Sequence, residues 1–199
     1  MKQLINKMFL FLSAAVLLTF VGCAKTPPPT FYQLEESASA QLPGVEHGMA
    51  IGIESPAIAA YLDRPQIVTR ATAHKLELSE ANMWAEPLKE SIPRVIAVNL
   101  SNMLDTNRVF RIPRRNQSIP LAFRLAIGIA RFDGALDDDA QLTARWTLYS
   151  RDNKPLLTKV TIISEPTNGT GYDNLVAAQN RSLKALSREI AESIKANSK

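Results

Sequence analysis

The chain predicts an α+β domain, a largely antiparallel β-sheet covered by two main helices, and three stretches carry that expectation. Leu121, Phe123, Leu125, Ile127 and Ile129 occupy every second position, and after a turn Leu142, Ala144, Trp146 and Leu148 do the same, as in a long hairpin with one face buried. From Tyr172 to about Ala196, Leu175, Val176, Leu183, Leu186, Ile190 and Ile194 form one helical stripe. A second stripe runs from Pro93 through Val95, Ile96, Leu100, Met103 and Leu104. Two one-sided helices need a sheet to cover, and the hairpin supplies one. With 199 residues, 46% hydrophobic and 21% charged, the chain can bury one ordinary core.

Residues 1–22 carry Lys2 and Lys7 and then an apolar run from Met8 to Val21, too short for a comfortable span, which is the pattern of a secretory signal peptide. Gly22-Cys23 at its end resembles the lipobox of bacterial lipoproteins, in which Cys23 would carry diacylglycerol and become the new N-terminus. Phe20 departs from the aliphatic residue usual there. Ala24 stands where an aspartate would favour the inner membrane, so by that resemblance the outer membrane is favoured. Cys23 is the only cysteine, which excludes a disulfide within the chain. Residues 23–30 hold Pro27-Pro28-Pro29 and read as a lipidated, Pro-rich tether. One domain is expected over residues 31–199. Without Lys2 and Lys7 the mature chain has 21 basic and 19 acidic residues, a balance that argues against nucleic acid as a partner.

Phe31 to Leu34 reads as a first strand, Glu35 to Gly48 as an irregular connection, and Met49 to Ile53 as a second strand ended by Pro56. Ala57 to Tyr61 leads into a corner at Tyr61-Leu62-Asp63-Arg64-Pro65. Pro65 fixes its own φ and pushes Arg64 into extended space, and the β-branched Ile67, Val68 and Thr69 then start a strand over Gln66 to Arg70. A hairpin through Ala71-Thr72-Ala73 joins it to His74–Leu78. Glu86-Pro87 fits a helix start. Pro93 then implies either a short turn from Trp84 to Ser91 that breaks before the main helix, with Ser91 as cap, or one kinked helix ending near Asp105 to Asn107. Val109 to Ile112 is a short strand, Pro113 to Asn116 a basic loop, Asp133-Gly134 to Asp139 a hairpin tip, and Leu156 to Ile163 a further strand.

Little in the chain suggests catalysis. His47 and His74 lack zinc-site spacing, and no nucleophile elbow, phosphate loop or dinucleotide fingerprint occurs. Asp137-Asp138-Asp139 lacks the alternation of a calcium loop. The expectation is no catalytic residue, no metal and no cofactor.

The signal with Gly22-Cys23, the early Phe31-Tyr32-Gln33-Leu34, the blocks Tyr61-Leu62-Asp63-Arg64-Pro65-Gln66-Ile67-Val68 and Trp84-Ala85-Glu86-Pro87-Leu88, and Leu186 to Ala191 near the C-terminus resemble, in this order, the PqiC (YmbA) family of ABC-type transport auxiliary lipoproteins. The resemblance implies a non-catalytic subunit, lipid-anchored to the outer membrane and facing the periplasm. Its implied partners are an MCE-domain periplasmic protein, through that an inner-membrane permease, and further copies of itself in a homo-oligomer. Tyr61, Asp63, Arg64, Pro65, Trp84 and Glu86 are the candidate partner contacts. The alternative is an envelope lipoprotein that scaffolds or activates a cell-wall or outer-membrane assembly enzyme.

Overall fold

The computed structural model describes residues 3, 28–36, 46–112 and 120–198. Almost all of the signal peptide, Cys23, most of the tether, part of the connection after Leu34 and the basic loop from Pro113 lie outside the described residues. The elements are β1 (Thr30–Tyr32), β2 (Ile51–Glu54), β3 (Ala57–Ile58), β4 (Gln66–Arg70), β5 (Leu76–Trp84), α1 (Leu88–Leu104), β6 (Val109–Ile112), β7 (Phe123–Gly134), β8 (Asp139–Ser150), β9 (Pro155–Pro166) and α2 (Tyr172–Asn197). A 3-10 turn covers Ala60–Leu62.

The class is α+β, with two sheets where one was expected. A six-stranded sheet runs β6-β2-β7-β8-β9, with β3 added beside β7, and a three-stranded sheet runs β1-β5-β4. The long pairings, β7 with β8 and β8 with β9, are antiparallel, as the alternation predicts. The short N-terminal strands pair in parallel instead, β2 with both β6 and β7, and β1 with β5. Parallel neighbours need crossover connections, so their partners lie far off in sequence and leave no local pattern.

Strict alternation buries one face of the hairpin. Phe123, Leu125, Ile127 and Ile129 on β7 and Leu142, Ala144, Trp146 and Leu148 on β8 are all buried beneath α2, whose predicted stripe is buried throughout. Trp146 is fully enclosed, and its indole N–H donates to Thr161 Oγ1 at 3.0 Å. The Thr161 hydroxyl donates in turn to Glu189 Oε2 at 2.7 Å, which ties β9 to α2. At the hairpin tip a Cβ on Gly134 would stand 2.5 Å from the Asp139 carbonyl oxygen and 2.7 Å from Ala140 Cα. Backbone atoms cannot yield as a flexible side chain would, so Gly134→Ala is expected to cost about 1–3 kcal/mol, read as a lowered denaturant midpoint with an unchanged slope.

Of the two arrangements open for Pro93, the chain adopts one helix that runs through it. Pro93 donates nothing to the carbonyl of Lys89, yet the turn stays helical because Ile92, Pro93, Val95 and Ile96 are all buried against the core. Ser91 is interior to the helix, its hydroxyl donating to the Pro87 carbonyl at 3.4 Å. Asp105 ends α1 in the left-handed region, φ 48°, with its N–H on the Ser101 carbonyl. The larger departure concerns β5, which continues to Trp84 where a helical turn was one expectation. Between Val68↔Leu78 and Gln66↔Met83 the register slips, so Ser79 to Asn82 form a wide bulge with no partner on β4.

Candidate functional site

The three-stranded sheet is where the separate sequence blocks meet. Tyr32 of β1 lies opposite Trp84 of β5, and Gln66 of β4 opposite Met83. The Trp84 N–H donates to the Pro65 carbonyl at 2.7 Å, and the Ala85 N–H to the Tyr32 carbonyl at 2.8 Å. Thus the Phe31, Tyr61 and Trp84 blocks form one hydrogen-bonded unit. The corner itself is an inverse γ-turn: Asp63 has φ −80° and ψ 63°, and the Arg64 N–H reaches the Leu62 carbonyl at 2.9 Å. It is pinned to the large sheet by the Ala59 N–H on the Ile129 carbonyl at 2.9 Å.

A buried carboxylate holds the block from its two ends. Asp133 has no exposed side-chain surface and receives the Tyr61 hydroxyl at 2.6 Å, both Nε and Nη2 of Arg70 at 2.9 Å, and Arg131 Nε at 2.9 Å. The paired donation from Arg70 is the strong, planar form of this contact. Burial pushes the Asp133 carboxyl up, but the hydrogen bonds from Arg70, Tyr61 and Arg131 outweigh it and hold the group below its ordinary value of 3.8. Burial first, and then donation to this carboxylate, push the Tyr61 phenol up to about 12, so it stays protonated and donating. The cluster is a lock between the two sheets, joining residues of the 3-10 turn and of β4 to β7.

The remaining predicted residues separate into different environments. Asp63 is exposed and pairs with Lys89 in the first turn of α1. Glu86 pairs with Arg94, which also holds Glu36. Pro65 is exposed, and Arg64 is half-buried with its Nε enclosed and lacking a hydrogen-bond partner. Trp84 is not on the surface: it is 6% exposed and stacks on Phe132, ring centroids 6.4 Å apart at 27°. As the last residue of a strand over the core it packs inward, so its candidacy as a contact is corrected to that of a core residue. Arg70, Arg131 and Asp133 were not singled out for this role. The one signal was Arg70 closing the same block; Asp133-Gly134 reads locally as a turn.

A groove of about 650 Å³ runs between β1 and α2, lined in part by Phe31, Tyr32, Glu36, Arg94, Asp173 and Asn180. Neither histidine lines it. The His47 N–H donates to Asn107 Oδ1, and the His74 N–H faces Thr72 Oγ1. Among the described residues no cluster of three or more His, Cys, Asp or Glu could hold a metal, and no helix is long and apolar enough to cross a membrane.

The family model described as the ABC-type transport auxiliary lipoprotein component matches residues 32–191. No curated protein matches. Solved structures share the fold, among them two that align along most of the chain. One, titled an uncharacterized protein, is 19% identical over 84% of this chain and 99% of its own, with a TM-score of 0.70. The other, a protein from Xanthomonas campestris, is 18% identical over 81% and 92%, with a TM-score of 0.62.

Proposed function

Because this chain belongs to the ABC-type transport auxiliary lipoprotein family, we propose that it is a non-catalytic subunit, anchored by lipid on Cys23 to the outer membrane, of an MCE-type intermembrane lipid transport system. It docks the periplasmic conduit formed by an MCE-domain protein, which leads to the inner-membrane permease, and assembles as a homo-oligomer. The observation that carries the docking role is the corner. Three blocks of sequence hold one rigid turn in place, and that turn presents exposed Asp63 and Pro65 beside half-buried Arg64. Rigid presentation of a polar edge lowers the ordering cost of binding.

The Asp63–Lys89 pair is nearly half exposed on both sides, so it contributes only about 0–1 kcal/mol to folding. Reversing the exposed charge, Asp63→Lys, is therefore expected to leave the yield and midpoint of folded protein nearly unchanged. Co-purification of an MCE-domain protein from membranes should fall at least tenfold. If the unaltered lipoprotein never brings down such a protein, the docking role is wrong; if the reversal abolishes folding equally, the corner is purely structural.

A further inference from the structure

Two surfaces remain uncovered by the chain's own elements. The first is the face of β8 and β9 opposite α2, where Val160 is 60% and Ile162 73% exposed, with Leu156 at 42%. β9 is also an edge strand of the six-stranded sheet. A long β-branched edge of this kind pairs readily with another chain unless it is covered. On β8, Arg145 stands directly opposite Val160, is exposed, and has no ion pair or hydrogen bond among the described residues.

The second surface is the β4–β5 hairpin arm. From Ala71 to Glu80 it is exposed at every position but Leu76 and Ser79, and Leu78 is 47% exposed. Two residues on, in the bulge that β4 leaves unpaired, Glu80 is exposed and likewise without a partner among the described residues. The two surfaces are complementary in kind and spacing. Ile162 and Val160 are two residues apart on a regularly paired strand, a step of about 6–7 Å, with Arg145 beside the latter; Leu78 and Glu80 are likewise two residues apart and both exposed.

We propose that the β4–β5 arm of one copy docks on the outer face of β8 and β9 of a second copy, with Leu78 beside Ile162 and Glu80 paired with Arg145. This deepens the self-association in the reading above and rests on it. The contact joins two different surfaces, so it is head-to-tail, and repetition gives a ring or an open chain rather than a closed pair.

Leu78→Cys and Ile162→Cys, made in separate copies of the full-length protein and co-expressed in the same membrane, test it by mild oxidation. The unaltered protein, which carries only Cys23, controls for that thiol. A cross-linked dimer is expected when both variants are present and absent with either alone. Glu80→Arg or Arg145→Glu added to this pair should lower the cross-linked yield about five- to tenfold, and the two reversals together should restore it. No cross-link between folded variants overturns the proposal, as does Ile162→Cys linking to itself, which would mean face-to-face pairing. A cross-link formed where no MCE-domain protein co-purifies upholds this contact while the transport reading fails.

Discussion

Replacing Asp133 by alanine is expected to cost about 3 kcal/mol of folding stability, because it leaves the cations it held without their counter-charge. The value sits at the low end for a broken buried pair, since Arg70 and Arg131 keep 20% and 29% of their side-chain surface exposed and can turn to water. Tyr61→Phe removes one donor to a charged acceptor and should cost about 1.5–3 kcal/mol. The pH dependence has a fixed sign. The folded carboxyl is held below 3.8, so its contribution is complete above that value and is lost as the pH falls through the folded one. Denaturant midpoints of the unaltered protein and of Asp133→Asn should therefore differ near neutrality and converge in acid. A constant gap across that range, or a loss below about 0.5 kcal/mol for the alanine variant, would show that the cluster does not lock the sheets.

The legible parts of this fold were those whose pattern repeats locally. The period-two run from Phe123 to Ile129 and the stripe from Leu175 to Ile194 each bury one face, and a local pattern suffices to say so. The course of β5 was not legible beyond Leu78. Ser79-Glu80-Ala81-Asn82 has weak strand propensity because it is the bulge, and Glu86-Pro87 is so good a helix start that it drew the boundary back to Trp84. The parallel partners of β2 and the reach of Arg70 across 63 residues to Asp133 have no local signature at all. The corner's turn and the strand after it were legible from Pro65 and the β-branched residues that follow, but its buried contacts were not. Tyr61, Asp63 and Arg64 read alike as candidate partner contacts, whereas Tyr61, with Arg70 at the other end of the block, makes buried contacts to Asp133.

Trp84→Ala is expected to be the most damaging change in the three-stranded sheet, costing about 3–5 kcal/mol. The indole is 6% exposed and fills the junction where the small sheet meets Phe132 of β7. Its own N–H backbone bond to Pro65 fixes where that ring must lie, so the surroundings can collapse only partly into the void. Trp84→Phe keeps most of the apolar surface and the ring stacking, and should cost less than half as much. The chain has two tryptophans, so in either variant the fluorescence reports on Trp146 alone, and its unfolding midpoint measures the whole core. The same pair of variants separates packing from contact. A residue that served only a partner would leave the midpoint in place when truncated and lower co-purification alone; here the midpoint itself must fall, and co-purification should follow the folded fraction. In the proposed docking role the Trp84 block acts through the strand it ends, because its N–H holds the Pro65 carbonyl, and Pro65 sets the direction in which Asp63 and Arg64 are shown.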